Sequence, residues 1–213
     1  MRFLTGHNGI VTCIAWSPSG KFIATGSNDN TVAIWRVSDG KRVHILTGHT
    51  SGVSVVAWSP CSKFVVTGST RHLEKGLVAI WRMSDGASMF VKKFGHRVVS
   101  VAWSPCGGFI ACVSGCAWIL RASDGNVVHK FGESHSVLCA AWSPQKCGKY
   151  LMTGMKDGTA TVWCDGVCVR ILKNKKESKP IVGVAWSPCG KLVVTCSLSK
   201  KTTRIKSLDL SPK

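Results

Sequence analysis

The stretch Val11-Thr-Cys-Ile-Ala-Trp-Ser-Pro-Ser-Gly-Lys-Phe-Ile-Ala-Thr-Gly-Ser-Asn-Asp-Asn-Thr-Val-Ala-Ile-Trp35 decides the fold. Its first run, Val11–Trp16, is apolar and β-prone, and Ser-Pro-Ser-Gly then supplies turn chemistry. Lys21–Ser27 reads as a second strand, Asn28-Asp29-Asn30 as a tight turn, and Thr31–Trp35 as a third strand. Ser38-Asp39-Gly40 makes another turn, and Lys41–Leu46 is the fourth strand.

The unit recurs. Trp-Ser-Pro begins at Trp16, Trp58, Trp103, Trp142 and Trp186, at intervals of 39 to 45 residues. A second tryptophan follows four of these, at Trp35, Trp81, Trp118 and Trp163, which accounts for all nine in the chain. Four short strands in a period of about 40 residues make one propeller blade. The expected fold is all-β: a single domain, 1–213, forming a β-propeller of about five four-stranded antiparallel blades. The repeats run approximately over 5–46, 47–94, 95–131, 132–172 and 173–213. No segment carries a helical period, and no linker interrupts the series.

Composition narrows the function. Hydrophobic residues at 45% and charged residues at 18% describe a globular chain. No apolar run approaches the roughly 20 residues that span a bilayer, and Met1–Ile10 does not read as a secretory signal. The expected location is therefore the cytoplasm, with the nucleus as the alternative. Of the eleven cysteines, Cys61, Cys106 and Cys189 each follow a Trp-Ser-Pro triplet. Cys112/Cys116 and Cys164/Cys168 are spaced four apart, but no second pair completes a zinc set. No metal and no cofactor is expected. The net charge of +18, from 28 Lys+Arg against 10 Asp+Glu, bears on partners and not on fold.

With Gly6-His7, Thr25-Gly26-Ser27, Asp29 and Trp35 in one unit, the sequence resembles the WD-repeat family across essentially its whole length. The resemblance implies a buried hydrogen-bonded tetrad of His, Thr, Asp and Trp, in which each polar group satisfies another. In the first unit these are His7, Thr25, Asp29 and Trp35; in the fourth, His135, Thr153, Asp157 and Trp163. A hydroxyl, a His and an Asp also compose a hydrolytic triad. Recurrence in several blades and the indole donor favour the structural role, so no enzyme is expected. Trp163 is expected to be buried.

The departures from the family pattern are specific. The Asp of the Trp-Asp dipeptide is replaced by Arg36, Arg82, Ile119 and Cys164. The second unit keeps Gly48-His49, Thr67 and Trp81 but has Arg71–Gly76 in place of the Asp turn. The third pairs His96 and Trp118 with Cys112 and loses its Asp; the fifth lacks Gly-His and has Ile205 at the Trp position. Five blades also raise a question of closure. Arg2-Phe3-Leu4, placed where fourth strands end in other units, is expected to complete the last blade; the rival is an open arc or fragment needing partner blades or self-association.

The resemblance further implies a binding rim made of the loop before each first strand and the turn between second and third strands. Lys173, Lys175, Lys176 and Lys179 fill one such loop, and Lys200 and Lys201 one such turn. Arg71, His72, Lys75, Arg97 and Lys156 extend the patch. The expected function is a non-catalytic protein-binding scaffold or adaptor, within a multiprotein complex, that takes acidic or phosphorylated segments. The alternative is an RNA- or DNA-associated factor contacting the nucleic-acid backbone through that rim. These loops lack interleaved aromatics to stack bases, which disfavours it.

Overall fold

A computed structural model describes residues 3–69, 76–132, 136–145, 148–173 and 179–198, and the backbone of strand 203–207. Five antiparallel sheets follow one another along the chain. The first is β1 (Val11–Trp16), β2 (Phe22–Ser27), β3 (Val32–Arg36) and β4 (Arg42–Leu46). The second is β5 (Val53–Trp58), β6 (Phe64–Ser69), β7 (Leu77–Arg82) and β8 (Ser88–Lys93). The third is β9 (Ser100–Trp103), β10 (Phe109–Ser114), β11 (Cys116–Arg121) and β12 (Val127–Phe131). The fourth is β13 (Val137–Trp142), β14 (Tyr150–Met155), β15 (Thr159–Cys164) and β16 (Val167–Lys173). The fifth has three strands, β17 (Ile181–Trp186), β18 (Leu192–Ser197) and β19 (Thr203–Ser207). Strands pair in sequence order within each sheet, so every unit is a meander and the whole is a five-bladed β-propeller.

The Trp-Ser-Pro triplet works through its serine. Ser17 Oγ accepts the Phe22 N–H at 3.0 Å, and Ser59, Ser104, Ser143 and Ser187 do the same for Phe64, Phe109, Tyr150 and Leu192 at 3.0–3.1 Å. Each therefore closes the turn into the second strand, where a buried N–H would otherwise be costly. A bulge recurs in the first strand of four blades, between Val11/Cys13, Val53/Val55, Val137/Cys139 and Ile181/Gly183. Such bulges add the local twist that a blade requires.

The apolar core lies between the sheets. One cluster joins Ile34 and Leu46 to Val53, Trp58 and Trp81; the next joins Val66 and Ile80 to Val98, Ile110 and Leu120. The third joins Ile119 and Phe131 to Val137 and Leu151, and the fourth joins Met152 and Val162 to Val193 and Trp186. The indoles of the triplets cross these seams. Trp58 Nε1 donates to the Ala15 carbonyl at 3.1 Å, Trp103 to Ala57 at 3.2 Å, Trp142 to Ala102 at 3.2 Å and Trp186 to Ala141 at 3.1 Å. The glycine of Thr-Gly-Ser has a related cause. A Cβ on Gly26 would stand 2.7 Å from Val53 Cγ1, and one on Gly68 2.6 Å from Val98 Cγ1. The next blade presses on that backbone.

Two expectations are corrected. Residues 3–10 form no strand, Phe3 is 78% exposed, and β19 has no partner beyond β18 among the described residues. The segment is held by its own blade instead: Arg42 Nη1 donates to Gly6 O at 2.7 Å, and Asn28 N–H to Ile10 O at 2.9 Å. Arg2 and residues 208–213 lie outside the described residues. Trp118 does not occupy the Trp35 position either. Register pairs Ile23 with Trp35 but Ile110 with Leu120, so the buried Leu120 fills that slot and Arg121 stands where Arg36 does.

Candidate functional site

The first blade carries a full tetrad. Trp35 Nε1 donates to Thr25 Oγ1 at 2.8 Å, His7 Nε2 lies 2.7 Å from the same hydroxyl, and His7 Nδ1 lies 2.9 Å from Asp29 Oδ2. The Asn8 N–H at 2.8 Å and the Thr31 hydroxyl at 2.6 Å also donate to the Asp29 carboxylate. Partial burial opposes ionisation of Asp29, but these donors prevail and hold its carboxyl well below the ordinary carboxylate range. The Thr25 oxygen is engaged from two sides. This chain of bonds fixes the loop before β1 to the β2–β3 turn, and leaves no free nucleophile–base pair there.

The other blades keep parts of it. In the second, Trp81 Nε1 donates to Thr67 Oγ1 at 2.8 Å and His49 Nε2 lies 2.7 Å from it. With no Asp turn, the buried His49 Nδ1 has no hydrogen-bond partner among the described residues, and burial pushes this imidazole down to about 4. In the third, Cys112 offers no hydroxyl, and Trp118 Nε1 donates to the Ser114 carbonyl at 3.3 Å. In the fourth, Trp163 Nε1 donates to Thr153 Oγ1 at 2.9 Å, and Asp157 Oδ1 accepts from the Thr159 N–H and hydroxyl. His135 lies outside the described residues. Trp163 is only half-buried, stacked on Phe131 at 4.7 Å, which corrects the expectation of full burial.

That exposure has a structural source. Phe109, Ile119, Trp142 and Trp163 line a cavity of about 340 Å³ between the third and fourth blades. The matching space between the first and second is about 140 Å³ and is filled in part by Met83, whose carbonyl lies 3.1 Å from His44 Nε2. In the fourth blade the turn shrinks to Asp165-Gly166, both at positive φ, and these shorter residues line the cavity where the second blade has Met83.

Charged residues lie on both rims. Lys156 N–H bonds the Ser136 carbonyl at 2.7 Å, and Leu198 N–H the Pro180 carbonyl at 3.2 Å. Second–third turns and the loops before first strands therefore share one rim, as the tetrad also requires. Arg97, Lys156 and Lys179 lie exposed in those segments, and Lys173 is exposed at the end of β16. Arg71, His72, Lys75, Lys175, Lys176, Lys200 and Lys201 lie outside the described residues. On the opposite rim, each Ser-Asp-Gly turn neutralises the arginine before it. Arg36 pairs with Asp39 at 3.1 Å, Arg82 with Asp85 at 2.6 Å and Arg121 with Asp124 at 2.9 Å. Cys61, Cys106 and Cys189 occupy turns on this side, 3.2–3.4 Å from Ser59, Ser104 and Ser187. Among the described residues, no group of three or more His, Cys, Asp or Glu could hold a metal ion.

Blades stacked through their indoles, with loops locked by tetrads, define a repeat-built platform of the protein-binding kind. Residues 1–36, 40–82, 88–128, 125–164 and 166–212 match the WD40 family, described as WD domain, G-beta repeat, and the chain belongs to that family. WD40 domains mediate protein–protein interactions within complexes. The chain is 25% identical to Protein HIR1 of Mycosarcoma maydis over 92% of its own length and 17% of that protein's. It is 29% identical to WD repeat and HMG-box DNA-binding protein 1 of Xenopus laevis, over 88% of itself and 14% of that protein. To Protein hir1 of Schizosaccharomyces pombe it is 23% identical, over 92% and 19%. The chain thus spans less than a fifth of the length of each of these relatives.

Proposed function

We propose that this WD40 domain is a scaffold whose basic rim docks acidic or phosphorylated segments of partner proteins within a larger complex. The reading is supported by exposed basic side chains on the rim that the tetrads lock. Arg36, Arg82 and Arg121 on one side are consumed by aspartates of their own turns. On the other, Arg97, Lys156 and Lys179 are exposed with no carboxylate paired to them among the described residues. From Arg170 onward the sequence adds eleven basic residues against two acidic ones, among them Lys175, Lys176, Lys200 and Lys201. Exposed cations such as Arg97, Lys156 and Lys179 are suited to charge-assisted bonds with carboxylate or phosphate.

The test is charge reversal: Lys175→Glu, Lys176→Glu, Lys200→Glu and Lys201→Glu together. Capture of partners should be lost while circular dichroism and the unfolding transition stay unchanged. Recovery of the same partners by that variant would reject the rim. A second reading, contact with a nucleic-acid backbone, draws on the charge of +18 and on the relative whose name includes HMG-box DNA-binding. It predicts binding to any RNA or DNA sequence that falls steeply with salt, whereas peptide docking depends on peptide sequence.

A further inference from the structure

The cavity between the third and fourth blades repeats, wall for wall, a space that the molecule fills for itself between the first and second. Register aligns the two seams. Phe109 and Ile119 stand at the positions of Phe22 and Ile34, His129 at that of His44, and Trp142 ends its strand as Trp58 does. The difference lies in what the later blade returns to the seam. Arg82 pairs with Phe64 and is followed by Met83; Cys164 pairs with Tyr150 and is followed by Asp165. Met83 packs against the first cluster with its carbonyl 3.1 Å from His44 Nε2, and Trp58 and Trp81 are 7% and 3% exposed there. At the other seam the space is more than twice as large, and Trp142 and Trp163 are only half-buried. The two imidazoles are held alike: a Cβ on Gly166 would stand 3.0 Å from His129 Nδ1, as one on Gly86 would from His44 Nδ1. His129 stacks on Phe131 at 5.8 Å but makes no hydrogen bond among the described residues, which leaves its Nε2 to the cavity.

We propose that this cavity is a docking pocket for a peptide segment of a partner protein, which inserts a methionine side chain between Phe109, Trp142 and Trp163 while His129 Nε2 donates to the segment's own carbonyl. The first seam sets the occupant, because there the matching walls hold that side chain and the matching imidazole nitrogen is bonded to its carbonyl. Methionine suits an aromatic-walled gap, since its flexible thioether fits irregular space and packs favourably against rings. At about 340 Å³ the cavity falls at the small end of ligand pockets, the size for a side chain and its backbone. Lys149 and Asp165 stand exposed at its edge, one charge of each sign, so nothing there selects a free anion. Gly148 and Asp165-Gly166 belong to turns on the rim opposite the tetrad-locked loops, so the pocket lies apart from the basic rim and does not depend on it.

The probe is acetyl-Ala-Met-Ala-amide, titrated into the isotope-labelled chain while the indole N–H signals are followed by nuclear magnetic resonance. Saturable shifts are expected at Trp142 and Trp163 and none at Trp35, which lies in another blade. Acetyl-Ala-Asp-Ala-amide should leave all three signals in place. His129→Phe keeps a ring on Phe131 but removes the donor, and should weaken the methionine probe about five-fold, as loss of one hydrogen bond does. Val128→Phe fills the cavity from its own wall and should abolish the shifts with circular dichroism unchanged. Absence of saturable shifts in the parent chain, equal shifts from the two peptides, or unchanged affinity in either variant overturns the proposal. Tighter binding of free indole than of the methionine probe does so too, because the cavity is then a site for planar small molecules.

Discussion

Acidification should weaken this protein through one imidazole. The second blade lacks the Asp that receives His7 in the first, so His49 is buried with Nε2 against the Thr67 hydroxyl and, among the described residues, no partner at Nδ1. Protonation puts a charge and a second N–H where no acceptor waits. Burial holds the folded-state value at about 4, against 6.5 for an ordinary histidine. A histidine whose folded value is depressed binds its proton first in the unfolded chain. Its cost is therefore absent above the unfolded value and grows as pH falls through the window from 6.5 towards about 4. Between pH 7 and pH 5 this linkage removes about 2 kcal/mol. Urea unfolding followed by tryptophan fluorescence at the two pH values measures the change. His49→Gln preserves a donor for Thr67 but carries no titrating group, so the wild-type loss minus the variant loss isolates the histidine. A difference of about 2 kcal/mol is expected. A difference near zero would show that His49 is solvated or partnered, and the reasoning from the missing Asp would fail.

Two further outcomes follow from burial. Trp35→Ala, at a buried indole with a full tetrad, should cost about 3–5 kcal/mol, and Trp163→Ala, beside a cavity, measurably less; equal losses in chemical denaturation would contradict the cavity. In native alkylation followed by mass spectrometry, Cys189 should react far faster than Cys112. The Ser187 hydroxyl and the Lys191 N–H lower the Cys189 thiol, whereas burial raises Cys112; comparable rates would refute the placement of either.

The fold was legible because the sequence repeats its turn chemistry with its strands. Trp-Ser-Pro marks the end of each innermost strand, and Ser-Asp-Gly supplies a glycine at positive φ in the turns at Gly40, Gly86 and Gly125. What the triplet's tryptophan does was not legible. Its partner is a backbone carbonyl some forty residues away, and backbone acceptors leave no mark in sequence. Trp118 misled for a related reason. The shortened turn at Gly115 shifts which residue faces Ile110, and hydrophobic patterning accepts Leu120 there as readily as Trp. The tetrads were readable where every member was present and close in sequence to its expected place. The orphan at His49 was foreshadowed by the Arg71–Gly76 insertion, though not its burial. For the rim, sequence supplied the charges, and the tetrad and turn bonds supply the common side for those that are described.

Losing tetrads in three blades of five is tolerable because the seams carry the stability. Each cluster of buried residues draws on two consecutive blades, so the free energy of the row is close to a sum of blade and neighbour terms. In such a row a polar defect in one blade stays local. The third blade, with Cys112 and Leu120 in tetrad positions, is still clamped from both sides by Trp103 on Ala57 and Trp142 on Ala102. A terminal blade has one seam and not two, whatever its tetrad. The first blade keeps every polar bond of its tetrad and yet exposes Val11, Ile14 and Trp16, while the third has lost that network and buries its counterparts more deeply. Position in the row, and not the tetrad, therefore sets how well a blade is buried.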